Sequence, residues 1–153
     1  MSMSVYLAGA IERAPDFGRV WREDFETWAS NHDVVCVNPC KNEHNLISDA
    51  GLEDEADFLD LQHTNPPRFK EVMQGIIDYD LDIVDEVDAI VVYYNEFVPA
   101  GAGSQGEITY AYRTGKPVYL VQAIEKLPGW IVGCTTKIFD TIEDLQNYLI
   151  QDK

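Results

Sequence analysis

A glycine-rich stretch, "AGAGSQGE" over residues 100–107, ends on a single acid, Glu107. Three glycines where one would make a turn let a ligand approach the backbone closely, and a helix start favours an ionised carboxylate. An ionised carboxylate fixed in direction beside free space is a nucleophile. The same residues also support a purely structural reading. Ser104 and Glu107 make an S-x-x-E pattern, which at a helix start satisfies two free backbone N–H groups reciprocally. A second acid, Asp80, stands four residues after Ile76 and four before Val84, on the apolar face of its helix, whereas Asp78, Asp82 and Asp85 do not. A carboxylate on such a face is costly unless it is hydrogen-bonded or lines a cleft, and desolvation there raises its pKa towards a value useful for proton transfer. Tyr6, in an early apolar run, carries a hydroxyl that needs a partner when buried, and Glu107 is a candidate. Asn38, just before Pro39, is placed either to cap a turn or to donate to a ligand. The small residues Gly101 and Gly103, with Ser104, would let a ligand approach the backbone beside these groups.

These residues need a scaffold that brings them together. "SVYLAG", residues 4–9, reads as a strand stopped by Gly9, and the helix after it repeats Phe17, Val20, Trp21, Phe25 and Trp28 at helical spacing. "DVVCVNP", residues 33–39, is rich in β-branched residues and reads as a second strand. Residues 40–65 hold turn formers and acids without a sustained period, so they read as a long lid-like loop with at most one short helix. Asn65 and Pro66 open a helix whose face is marked by Phe69, Met73, Ile76, Ile77, Leu81 and Val84, ending near Val84. "DAIVVYY" (88–94) and "KPVYLVQ" (116–122) are continuous apolar runs suited to strands buried on both faces. Between them lie the glycine loop and a helix near 105–114, stopped by Gly115 and Pro117. "TKIFD" (136–140) reads as the last strand, and Thr141 caps a final helix. The alternation predicts an α/β three-layer sandwich with a mostly parallel sheet of about five strands, of Rossmann or flavodoxin type, as one domain over residues 1–153. Ligands in such sheets sit beyond the carboxyl ends of the strands where strand order reverses, an edge that gathers Gly9, Asn38 and the glycine loop.

With 27 acidic and 11 basic side chains the net charge is -16, which repels nucleic acid polymers and anionic membranes. No apolar run approaches the roughly 18 residues that span a bilayer, and the N-terminal stretch lacks signal-peptide character, so a cytoplasmic protein is expected. Three cysteines without a secretion signal do not indicate a disulfide framework. Cys36, Cys40 and His44 are spaced four apart but lack a fourth ligand, so no metal site is expected.

"VYLAGAI" at the start, "DLDIVDEVDAIVV" from Asp80, and "GAGSQGEITYAYRTGKPV" together resemble the nucleoside 2-deoxyribosyltransferase family and its relatives, the 2'-deoxynucleoside 5'-monophosphate N-glycosidases. The resemblance covers residues 5–9 and 80–121. It implies that Glu107 attacks the anomeric carbon of a deoxyribose, that Tyr6 orients it, and that Asp80 serves the departing base. The implied partners are a small nucleoside or nucleotide and a free nucleobase, with no cofactor, in a homo-oligomer. One position departs from the pattern: six residues before the nucleophile, where the transferases usually carry aspartate and the nucleotide hydrolases serine, this chain has Gly101. The expected activity is base exchange. Hydrolysis of a deoxynucleoside 5'-monophosphate and a silent nucleotide-binding module are its alternatives.

Overall fold

The computed structural model describes residues 2–151. In chain order the elements are β1 (Met3–Gly9), α1 (Arg19–Ser30), β2 (Val34–Val37), α2 (Pro39–Asp49), α3 (Glu55–Thr64), α4 (Pro66–Glu86), β3 (Ala89–Asn95), α5 (Gly103–Arg113), β4 (Val118–Ala123), α6 (Gly129–Cys134), β5 (Lys137–Phe139) and α7 (Ile142–Ile150). A single 3-10 turn over Val98–Ala100 leads into the glycine loop. The five strands are all parallel and lie in the order β2-β1-β3-β4-β5, as the α/β reading expects. The chain leaves β1 for β2 on one side and returns to β3 on the other. The loops after β1 and β3 therefore diverge, and a crevice opens at the carboxyl ends of these two strands.

Alternation along β1 decides what faces each layer. Val5 and Leu7 pack with Phe25 and Ala29 of α1 and Leu145 and Leu149 of α7. Tyr6 and Ala8 point the other way, into a cluster with Val84 of α4 and Ile108 and Ala111 of α5. Of these two, Tyr6 brings a polar group to the layer that carries both Asp80 and Glu107. The strand's register is pinned on both sides, Tyr6 lying opposite Val37 of β2 and Ile90 of β3.

Residues 40–65 are mostly helical, where the sequence reading expected a long loop. Asn38 accepts from Cys40 N at 3.0 Å and Pro39 takes the first helical position, which starts α2. Asp54 accepts from Asp57 N at 2.8 Å and starts α3. Ile47 and Phe58 from these helices bury themselves against Val72 and Ile76 in the first half of α4, with the Phe58 and Phe69 rings stacked at 4.8 Å. The segment is an anchored wall.

Two helical faces turn out differently from the sequence pattern. In α1 the buried residues are Arg22, Phe25 and Ala29, while Val20 is exposed and Phe17 precedes the helix with φ 55. In α4 the buried stripe is Val72, Ile76, Asp80 and Val84, and Ile77 is exposed. A strict spacing of four brings Asp80 inward more firmly than the wider stripe did. At its far end α4 is tied down by Lys116, whose ammonium donates to the carbonyls of Val87 and Asp85, and by Tyr110, which donates to the Asp85 carboxylate at 2.8 Å.

Candidate active site

Tyr6, Asp80 and Glu107 come from β1, α4 and α5, and meet on one face of the sheet. The Tyr6 hydroxyl, fully buried, donates to Glu107 Oε2. Asp80 is 8% exposed, and its Oδ1 is buried without a hydrogen-bond partner. A buried carboxylate oxygen left unpaired is expensive, so this position is either protonated or waiting for a donor.

The electrostatics follow from this burial. Desolvation, then the charge of Glu107, pushes the Asp80 carboxyl up to about 8, against the nearby Tyr6 hydroxyl and the Arg22 charge, which lower it. Glu107 is pushed up to about 7, chiefly by desolvation. The Tyr6 hydrogen bond and Arg22 hold it down, and Glu43 adds to the rise. Tyr6 itself is held well above its usual value by burial and by the Glu107 and Asp80 charges, so it stays a hydroxyl donor. Burial raises both carboxyls, Asp80 further from its ordinary value than Glu107, and two acids this close share their protons as a pair. That difference separates a nucleophile from a proton donor at neutral pH.

Loss of the Tyr6 hydroxyl removes a donor that favours the carboxylate. A hydrogen bond to a charged group contributes about 1.5–3 kcal/mol, so Tyr6→Phe is expected to raise the ionisation midpoint of Glu107 by about 1–2 pH units. Side-chain carboxyl NMR titration reads this directly, and an unmoved midpoint would remove Tyr6 from the site.

The capping-box reading of Ser104 and Glu107 is corrected. Helix α5 begins earlier, at Gly103, with Ala102 at the cap and no side-chain cap bond. Ser104 is buried in the first turn, and Glu107, one turn in on the same side, is engaged by Tyr6 rather than by the helix start. Gly103 has open space around its Cα, and Gly101 has only Arg13 Cγ at 3.8 Å and Val98 O at 4.0 Å where a Cβ would stand. The glycine loop is thus roomy on the side facing the β1 loop. Gly9 closes β1 where there is no such room, since a Cβ there would lie 3.1 Å from Trp21 and 3.2 Å from the Tyr93 carbonyl. Asn38 resolves to the cap, with Nδ2 also donating to Glu26 Oε1 at 2.9 Å, so both ends of its amide are engaged.

Two residues escaped the sequence reading. Glu43 of α2 is half-buried, and desolvation together with the Asp80 and Glu55 charges pushes it up to about 7. It precedes the buried Ile47 by four, so its inward face was legible once α2 was recognised as a helix. Arg22, fully buried in α1, acts on all three acids and on Tyr6. Its signal was its place three before Phe25 and seven before Ala29, on the apolar face. A cavity of about 560 Å³ has Glu43, Asn38, Phe17 and Ile11 in its walls, and of the three acids only Glu43 lines it. A second cleft of about 600 Å³, between Trp21, Trp28, Tyr93 and α7, lies against the opposite layer and holds none of the three acids. The raised carboxyls Glu43, Asp80 and Glu107 are grouped on the first side, which makes it the candidate site. Among the described residues no cluster of His, Cys, Asp and Glu is arranged to hold a metal ion, and no helix is long and apolar enough to cross a membrane.

No protein-family model matches this chain, and no curated protein matches it. Among solved structures, the fold is similar to that of a 2-deoxyribosyltransferase from the psychrotolerant bacterium Bacillus psychrosaccharolyticus. The TM-score is 0.68 at 18% sequence identity, over 95% of this chain and 91% of that one. The likeness establishes a shared fold across nearly the whole chain.

Proposed function

We propose that this protein is a nucleoside 2-deoxyribosyltransferase that works through a covalent ester on Glu107. The observation that carries the reading is the hydrogen bond from Tyr6 to Glu107 beside a buried Asp80 with an unpaired oxygen. A carboxylate oriented by a hydroxyl and a carboxylic acid kept protonated by burial are the two groups needed to break a glycosidic bond with retention. Glu107 attacks C1' of the deoxyribose as the C1'–N bond breaks. The electron pair leaves on the base nitrogen, which takes the proton from Asp80. In the second half a free nucleobase attacks C1', the ester oxygen departs as the Glu107 carboxylate, and Asp80 recovers the proton from the incoming N–H. The likeness in fold to a 2-deoxyribosyltransferase supports this choice of sugar.

A hydrolase acting on a 5'-monophosphate is the second reading, with water in place of the acceptor base. What favours it is Arg13, whose side chain lies beside Gly101 at the mouth of the glycine loop, where a phosphate would meet a cation. Incubation with deoxyinosine, with and without adenine, and separately with its 5'-monophosphate, distinguishes them. Deoxyadenosine formed only when adenine is present supports transfer. Base released from the monophosphate alone supports hydrolysis, and saturable binding with no release in any arm supports a silent module.

Self-association belongs to the same proposal. Exposed Ile77, Tyr112 and Trp130, on α4, α5 and α6, supply apolar surface for it. The two raised carboxyls also set a pH dependence: kcat/KM is expected to rise as Glu107 loses its proton near 7 and to fall as Asp80 loses its own near 8. A pH–rate profile with a plateau extending well above both limbs would contradict the assignment of Asp80 as the acid.

A further inference from the structure

Arg22 has no accessible surface, yet it takes part in none of the ion pairs among the described residues. Its guanidinium instead donates to neutral carbonyls: Nε to Leu7 O at 3.0 Å, Nη2 to Gly9 O at 2.9 Å, and Nη1 to Gly18 O at 2.8 Å and Ala10 O at 3.4 Å. All four belong to the last residues of β1 and to the segment that runs from it into α1. Gly18 shows how tightly that segment is drawn in. With φ +71, a Cβ there would lie 2.1 Å from Ala10 O and 2.2 Å from Arg22 Nη1. Placing a guanidinium in the interior without a carboxylate in contact is costly, and a lysine ammonium would satisfy the positive charge but not a planar fork of carbonyls.

The guanidinium also lies over the Trp21 ring at 4.9 Å, and Leu7, whose carbonyl takes Nε, follows Tyr6, whose hydroxyl holds Glu107, so the clamp stands one residue along β1 from the site. Glu107 is faced by Tyr6 from β1, Asp80 from α4, Glu43 from α2 and Arg22 from α1, and Glu43 in turn by Glu55 from α3 and Glu12 from the segment after β1. The acids crowd one another, and Arg22 is the cation that acts on each of Glu107, Asp80 and Glu43.

We infer that Arg22 is a positioning residue for the proposed reaction: its four-carbonyl clamp fixes the β1–α1 segment along the site, and its buried guanidinium, with no carboxylate in contact, favours the carboxylate form of Glu107. The inference rests on the reading of Glu107 as the nucleophile, but its test does not need turnover. In the full chain with labelled side-chain carboxyls, the Glu107 signal is identified by its loss in Glu107→Gln and titrated in wild type, Arg22→Gln and Arg22→Lys. Arg22→Gln is expected to move the Glu107 midpoint up by about one pH unit. Arg22→Lys, which keeps the charge but loses the fork, is expected to leave that midpoint nearly in place while amide exchange across residues 10–18 speeds up by about tenfold. If Arg22→Gln does not fold, citrulline at position 22, neutral and of the same shape, gives the same reading. A Glu107 midpoint unmoved by loss of the charge, or unchanged exchange in the lysine variant, overturns the inference. Because no substrate enters the measurement, a protein inactive on nucleosides would sink the proposed function and still return a result on Arg22.

Discussion

Glu107→Gln is expected to lower the rate of base exchange by at least about 10³-fold while leaving nucleoside binding within about threefold of wild type. The amide keeps the shape and can still meet the Tyr6 hydroxyl, but it cannot form an ester with the sugar. A loss in kcat without a matching rise in KM means that the side chain acts on the transition state rather than on binding as such. The silent-module reading expects no turnover in wild type and therefore nothing to lose. Steady-state exchange assays with isothermal binding to the same variant separate the cases, and retention of more than about a tenth of the wild-type rate would remove Glu107 as the nucleophile.

Asp80→Asn is expected to weaken catalysis and strengthen the fold at once. The amide cannot deliver a proton to the departing base, which costs roughly 10²–10⁴-fold in rate. It also removes a buried acid whose charged form is disfavoured. Asp80 holds its proton in the folded protein up to about 8, whereas the unfolded chain releases it near the usual aspartate value of about 4. Between these values the folded state binds the extra proton, so this residue's contribution to stability declines as pH rises from about 4 to about 8 and stays low above that range. Replacing it with asparagine removes the decline, leaving little difference near pH 4 and a gain of about 2–4 kcal/mol near pH 9. Thermal unfolding at the two pH values reads the gain as a Tm higher by roughly 5–12 °C at the alkaline end only. A variant that is less stable than wild type at pH 9 would mean that Asp80 is ionised and satisfied in the folded state, contrary to its unpaired Oδ1.

Tyr6, Asp80 and Glu107 were legible in the sequence because each breaks a local pattern: a hydroxyl in an apolar strand, an acid on an apolar helical face, and an acid after a run of glycines. The parallel sheet was legible for a related reason, since β3 and β4 read as uninterrupted apolar runs. The wall made by α2 and α3 was not. Few of its side chains are apolar, and Ile47 and Phe58 find their partners on α4, distant in sequence, so no local period announced the helices. Their starts were nonetheless written in Asn38-Pro39 and in Asp54, caps that weigh more than periodicity in a segment this polar. The start of α5 was misplaced because an S-x-x-E pattern lies inside the helix instead of at its edge. Arg22 was hidden by Trp21 and Val20, whose apolar character pulled the expected face round by one position.

Rapid acid quench of the protein during turnover of 2'-deoxyinosine, followed by peptide mass spectrometry, tests the proposed covalent role of Glu107 most directly. The expected result is a single deoxyribosyl group on the peptide containing Glu107, accumulating when no acceptor base is present and discharged when adenine is added before the quench. Hypoxanthine released at the full rate with no sugar on that peptide, or with the sugar on another residue, would contradict it.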